Sequence, residues 1–187
     1  LANAAETTAA LGGSFLRITW DVNLEDHPFL THVDYDSAWP EFRFGRLVAV
    51  TFWRVVKTDG QIVYRHLERH ETQNGIGVIF HGLYQGTPTN LGQIIPLTDH
   101  ASTAGLEVDD EGKISTESEG LAVFHWPNMG PNRSWRKDPL GQYLGRSDLD
   151  GLEPLFDALD EAYTSLMRDV RLGKAMLVVP NTLLTNN

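Results

Sequence analysis

Three side chains that are able to bind a metal ion alternate along one short segment: His66, Glu68 and His70. Alternate residues of a β-strand point to the same face of a sheet, so a strand here would place the two imidazoles and the carboxylate side by side. Such ligands are typical of zinc and non-haem iron sites. The further histidines that could complete a site are His81 and His125, although their spacing does not require it.

The same segment also has a purely structural interpretation. Arg65 and Arg69 would point to the opposite face, so that both faces of the strand carry charge. A strand that is charged on both faces is typical of a sheet edge or of a surface that meets another molecule. We therefore favour a polar or interface strand over a metal centre.

A second group of residues could support glycoside hydrolysis, which needs two carboxylates flanking the scissile bond. Asp34, Asp36 and Glu41 supply the carboxylates. Three aromatic residues that could stack on a sugar accompany them: Tyr35, Trp39 and Phe42. Any aromatic loop that contains acids has this composition, so the structural interpretation is again favoured.

Nucleophilic and phosphate-binding motifs are weak in this sequence. The chain contains no cysteine, which excludes thiol catalysis and thiolate metal sites. Ser14 follows two glycines but lacks the strand-to-helix context of a nucleophile elbow. The two glycines Gly75 and Gly77 fall inside a strand pattern and not before a helix, so they do not form a phosphate loop. We predict no catalytic residue, no cofactor and no metal, and hence no enzyme.

A basic segment surrounds a tryptophan at residues 132–137, with the sequence Asn-Arg-Ser-Trp-Arg-Lys. It could grip phosphate or stack on a base. The whole chain, however, has a formal net charge of −10, with 25 acids and 15 bases. Because nucleic-acid binding needs clustered cations, we favour a loop that pairs with acids of its own chain or of a neighbour.

Hydrophobic periodicity predicts an α+β fold. Residues 14–22 alternate as a half-buried strand with Leu16, Ile18, Trp20 and Val22 on one face. A loop is expected over 23–44. Asp59-Gly60 and Asn74-Gly75 separate three strand-like runs, which predicts an antiparallel meander over 47–85.

The remainder alternates between loops and short elements. We predict a loop-rich stretch over 86–120, short strands at 121–126 and 176–179, and irregular chain over 127–146. An apolar stripe at helical spacing predicts one long amphipathic helix at about 150–173, packed with the β-rich domain. Leu1 and the alanines after it indicate that residues 1–12 are the end of a helix that begins upstream. We therefore expect a fragment, with one α+β domain over 13–187.

Three consecutive stretches carry a family resemblance: Pro-Asn-Met-Gly-Pro-Asn-Arg-Ser-Trp-Arg at 127–136, Leu-Gly-Arg-Ser-Asp-Leu at 144–149, and the helix that follows to about 175. In this order they resemble the portal proteins of tailed bacteriophages, of the siphophage type. Supporting stretches are residues 38–47, 81–87 and 91–92.

The resemblance implies a function that the residues alone do not show. Portal proteins form a ring, typically a dodecamer, at one capsid vertex, through which double-stranded DNA is packaged and ejected without sequence-specific binding. Their partners are the terminase motor, the head-tail adaptor, and capsid and scaffold proteins. Such a protein is assembled in the host cytoplasm and is located in the virion. The resemblance implies no association with a membrane. The chain is similar to the wing region, without stem, clip or tunnel loop.

Within this interpretation we predict a subunit interface or a locked loop. The residues assigned to it are Arg133, Trp135, Arg136, Arg146 and Asp148. The first three are expected to contact a neighbouring subunit or to hold the loop against the 150–173 helix. The alternative is a β-rich metal- or carbohydrate-dependent enzyme that uses His66, Glu68 and His70, or the acids of the 34–41 segment.

Overall fold

A computed structural model describes residues 2–130 and 132–174, and the chain divides into two units, residues 1–148 and 149–187. The helices and strands are α1 (Ala2–Leu11), β1 (Gly13–Thr19), β2 (Phe29–Asp34), β3 (Ala38–Arg43), β4 (Arg46–Asp59), β5 (Ile62–Gln73), β6 (Ile76–Thr87), β7 (Asn90–Ile95), β8 (Lys113–Glu119), β9 (Val123–Pro127) and α2 (Glu153–Gly173). The 3₁₀ turns are Tyr35–Ser37, Leu97–Asp99 and Gly141–Tyr143. Antiparallel sheets and two helices confirm the predicted α+β class.

The first unit contains two antiparallel sheets. One has three strands in the order β2-β1-β9, and the other has the order β3-β4-β5-β6-β7, with β8 also paired to β6. The core cluster consists of Phe15, Val50, Phe52 and Val123, contributed by both sheets. Helix α1 joins this unit through a buried hydrogen bond of 2.7 Å between the hydroxyls of Thr8 and Ser14.

The predicted meander over 47–85 is confirmed as β4, β5 and β6. Its turns follow from local sequence, because tight hairpins require positive φ at their central positions. Asn74 and Gly75 have φ values of 52° and 85°, and Gly60 has 59°. Asparagine and glycine adopt this region at low cost, which explains why the two dipeptides marked the turns.

Three sequence-based expectations about strands were wrong. The predicted loop over 23–44 contains β2 and β3, and the stretch over 86–120 contains β7 and β8. In the first strand the exposed and buried faces are reversed: Phe15 is fully buried, whereas Ile18, Trp20 and Val22 are 51%, 66% and 75% exposed. The second sheet covers the face that carries Phe15. Alternation alone predicts that a strand has two faces but not which of them is buried.

The second unit consists of α2 in its described part. This helix confirms the predicted element at 150–173, and it begins at Glu153 with Pro154 in its first turn, where proline is tolerated. Within its own unit the apolar stripe is uncovered, with Leu155, Leu159 and Leu166 each about 60% exposed. The predicted strand at 176–179 lies outside the described residues. None of the described helices is both long enough and apolar enough to cross a bilayer.

Candidate functional site

The predicted cluster of His66, Glu68 and His70 lies on β5, on the face that turns towards the core. The register of the neighbouring strand β4 places Phe52 opposite Glu68 and Val50 opposite His70. Both histidines are buried, at 4% and 1% exposure. The alternating spacing thus predicted correctly that the three residues share a face, but this face is the interior and not an edge.

Glu68 is the centre of a charged network that joins the two sheets. Its Oε2 accepts a hydrogen bond of 2.8 Å from a guanidinium nitrogen of Arg17 on β1, and its Oε1 accepts one of 2.6 Å from Nε2 of His70. Burial raises the pKa of the Glu68 carboxyl, but the hydrogen bond from His70 and the Arg17 charge outweigh it and bring the pKa to about 2. Glu68 is therefore a carboxylate at neutral pH, with both oxygens occupied.

His66 pairs with a histidine of the next strand, β6. Its Nε2 lies 3.1 Å from Nδ1 of His81, with the two ring planes only 11° apart. Burial, followed by the charges of His81 and Arg54, lowers the pKa of His66 to about 4, and burial also lowers the pKa of His81. Both imidazoles are neutral at pH 7, so the N–H of one donates to the bare nitrogen of the other.

A cleft of about 330 Å³ borders this network. Its lining includes the charged side chains of Arg17, Asp34, Arg54 and Glu68 and the neutral imidazole of His66. The lining thus carries both signs of charge. Buried titratable groups and open space therefore adjoin at this cleft.

The arrangement does not bring three metal ligands together at β5. Among the described residues, the side chains whose ligand atoms lie within 4.8 Å of one another are Glu25, Asp26 and His27, all exposed in the loop after β1. One further polar atom is notable, since Nδ1 of His70 is buried without a hydrogen-bond partner. His66, Glu68 and His70 form a hydrogen-bonded network here and not a common coordination sphere.

His125, the other candidate ligand, belongs to the aromatic core. Its ring stacks on Phe15 with centroids 5.0 Å apart, and its Nε2 lies 2.7 Å from the hydroxyl of Tyr35. Burial lowers the pKa of His125 to about 4 and raises the pKa of Tyr35 to about 12. The Tyr35 hydroxyl therefore donates a hydrogen bond to Nε2 of the neutral imidazole, while the backbone N–H of Gly145 donates to the Tyr35 oxygen at 3.3 Å.

The three acids proposed for glycoside hydrolysis lie in different environments. Asp34 borders the cleft, Asp36 is exposed and accepts the Ser37 hydroxyl at 3.0 Å, and Glu41 forms an ion pair with Arg69. Arg69 also binds Glu71 at 2.7 Å. The hydrogen bond from Arg69 lowers the pKa of Glu41, so this carboxylate is poorly suited to donate a proton as a general acid.

The segment over 128–148 is held by asparagine side chains that the sequence-based reasoning did not single out. Asn132 is 8% exposed; its Nδ2 donates to the carbonyl of Gly145 at 2.9 Å, and its Oδ1 accepts from the backbone N–H groups of Ser134 and Trp135. Asn128 donates to the carbonyl of Arg146 at 3.0 Å and to Oδ1 of Asp148 at 2.8 Å. The Asn-x-Ser spacing at 132–134 is an Asx-turn signal that would have indicated this role.

The five predicted interface residues fall into two groups. Arg146 and Asp148 lie in backbone that is fastened to the rest of the unit: the N–H of Arg146 donates to Asn128 at 2.7 Å, and the N–H of Asp148 donates to Ala9 at 2.9 Å. Arg133, Trp135 and Arg136 lie on the outside of the loop, with Trp135 57% exposed and its ring against Gly141. The loop is locked by its asparagines, and its cations remain at the surface.

Comparison with known protein families, with curated proteins and with solved structures found no match to this chain. The function must therefore be argued from the residues and the geometry described above.

Proposed function

We propose that this chain is a structural subunit of a bacteriophage portal ring. The observation that carries the proposal is the order of elements over 127–174: a polar loop with Asn-Arg-Ser-Trp-Arg, a Gly-Arg-Ser-Asp segment, and then a long amphipathic helix. This order resembles that of portal proteins in the wing region. The hydrogen bonds of Asn128 and Asn132 give the polar loop a fixed shape, which a subunit contact requires.

Helix α2 supports an assembly role through its surface. Its apolar stripe is uncovered by the described residues of its own unit, 149–174, and a helix of this length gains most of its stability from burying such a stripe. The stripe is formed by Leu155, Phe156, Leu159, Tyr163, Leu166 and Val170. An apolar surface of this extent is typical of residues that meet another protein surface.

The charge of the chain is compatible with a DNA conduit. A net charge of −10 repels the phosphate backbone, so that DNA slides past the subunit and is not retained. Under this proposal the ring is typically dodecameric and lies at the capsid vertex of the virion. Its partners are the terminase motor, the head-tail adaptor, and capsid and scaffold proteins.

The test is the assembly state of the full-length protein. Native mass spectrometry and electron microscopy should show closed rings with a central channel, and the rings should not retain duplex DNA at physiological salt. A stable monomer would contradict the proposal.

The alternative function, a metal-dependent enzyme, is favoured by one observation. The neutral, buried imidazole of His66 and the carboxylate of Glu68 border a cleft of about 330 Å³, and Nε2 of His66 lies 3.1 Å from Nδ1 of a second imidazole, that of His81. Elemental analysis of the purified protein separates this alternative from the ring. A stoichiometric transition metal that is lost in His66→Ala would support the enzyme. A purified protein that contains no metal would contradict it.

A further inference from the structure

One face of the three-stranded sheet exposes apolar side chains. Ile18 on β1 lies opposite Leu30 on β2, and Leu16 lies opposite Phe124 on β9, so these side chains share one face. Within the first unit Ile18, Leu30 and Phe124 are 51%, 54% and 63% exposed. Neighbouring large apolar side chains that remain this exposed are typical of a contact surface.

The loop directly after β1 adds further exposed side chains, both apolar and acidic. Trp20 and Leu24 are 66% and 70% exposed and continue the apolar area. Asp21, Glu25 and Asp26 are exposed in the same loop. We call the apolar side chains of β1, β2, β9 and this loop, together with the three acids, the acidic-rim patch.

A second surface of the same unit has the opposite charge. Met129 and Trp135 are 51% and 57% exposed in the loop that Asn132 holds in place. The bases Arg133, Arg136 and Lys137 are exposed beside them, and none forms an ion pair with any residue in the described ranges 2–130 and 132–174. We call these five residues the basic-rim patch.

We infer that the acidic-rim patch of one copy of this chain binds the basic-rim patch of a second copy. Each patch combines exposed apolar side chains with charges of one sign, three acids in the first patch and three bases in the second. Contact between two identical patches would oppose like charges, which is costly, so complementarity favours the head-to-tail pairing. A head-to-tail contact forms a ring when its rotation closes and an open filament when it does not, and for ring closure the inference rests on the proposed function.

Cross-linking between two singly labelled copies tests the pairing directly. Because the chain contains no cysteine, Asn23→Cys and Ser134→Cys each introduce one thiol, at exposed positions beside the two patches. After mixing the two variants, a short bifunctional thiol reagent should join Asn23→Cys to Ser134→Cys. Products that join Asn23→Cys only to itself, or no product at all, would overturn the inference.

Charge exchange provides an independent measurement with a matched control. Arg133→Glu with Arg136→Glu should weaken self-association at least about tenfold, as sedimentation measures it, and Glu25→Lys with Asp26→Lys in the same chain should restore most of the loss. The control, Arg43→Glu with Arg46→Glu, makes the same charge change at exposed positions of the β3–β4 hairpin and should have no such effect. An equal loss in the control would contradict the proposed contact.

The two proposals fail in different ways. If the full-length protein forms rings that the charge reversal at Arg133 and Arg136 does not affect, the proposed contact is contradicted and the proposed ring is supported. If the patches cross-link as expected but the full-length protein forms only open chains or dimers, the contact stands and the portal ring is wrong.

Discussion

Ionisable side chains of the first unit occupy two contrasting environments. Between the sheets, Arg17, Glu68 and His70 are joined by hydrogen bonds of 2.6–2.8 Å, and each is at least three-quarters buried. In the loop over 132–137, Arg133 and Arg136 are exposed and bind no other described side chain. The same residue types thus serve the fold in one place and remain available to a partner in the other.

The difference shows why titratable residues alone do not identify a functional site. A buried carboxylate must be paired, because an unpaired charge in the interior is very costly. Both oxygens of Glu68 are therefore engaged in hydrogen bonds that stabilise the fold. Arg133 and Arg136 are exposed to solvent and need no partner charge. A function that requires accessible charge is therefore better supported by this loop than by the buried network.

The largest expected effect is that of removing the buried carboxylate. Glu68→Ala should lower the free energy of unfolding by roughly 3–5 kcal/mol, because Arg17 and His70 lose their common acceptor in the interior. Urea denaturation at pH 7 measures the change. The matched control is Glu25→Ala at an exposed position, expected within about 0.5 kcal/mol; equal effects would mean that burial does not distinguish the two acids.

Acid should destabilise the fold through its buried histidines. The pKa of His66 is about 4 in the folded chain against an ordinary value near 6.5, so the unfolded chain binds more protons in this range. Stability should therefore fall as the pH drops from about 6.5 to 4, by up to about 1.4 kcal/mol per pH unit for this histidine.

The variant His66→Gln should reduce the slope of unfolding free energy against pH by that amount. The control Val123→Ala lowers core packing without removing a proton site, and its slope should match that of the original chain. Denaturant titrations at several pH values provide both slopes. An unchanged slope in His66→Gln would mean that this imidazole is not kept neutral by burial.

A smaller effect on the free energy of unfolding is expected at Gly145, which lies close to the end of helix α1. A Cβ at Gly145 would lie less than 3.0 Å from the carbonyl oxygens of Gly12 and Asn128, whereas one at Gly130 would meet no atom within 4 Å. Gly145→Ala should therefore cost about 1–3 kcal/mol, as overpacking does, and Gly130→Ala should cost much less. Thermal unfolding of the two variants makes the comparison.

The smallest effect concerns the exposed loop cations. Arg133→Gln and Arg136→Gln should each change the free energy of unfolding by no more than about 0.5 kcal/mol. Chemical denaturation at a concentration where the chain is dissociated gives the value. A loss of several kcal/mol would show that these side chains stabilise the fold and would remove the contrast with the buried network.

Local sequence signals were sufficient for the elements whose conformation is decided locally. The Asp-Gly and Asn-Gly dipeptides predicted the turns of the β4–β6 meander because few residues adopt positive φ cheaply. The apolar stripe predicted α2 because its spacing repeats over 21 residues. The portal resemblance, the single domain over 13–187 and the two-patch contact stay predictions.

The sequence by itself determined which side chains could meet: alternation placed His66, Glu68 and His70 on one face of a strand. Only the tertiary structure decided which face was covered and which partner each side chain took. Phe15 became buried because β4 packs against it, and His66 met His81 because the register of β5 and β6 makes them diagonal neighbours. Burial and cross-strand pairing depend on residues distant in the chain, and no short-range pattern contains them.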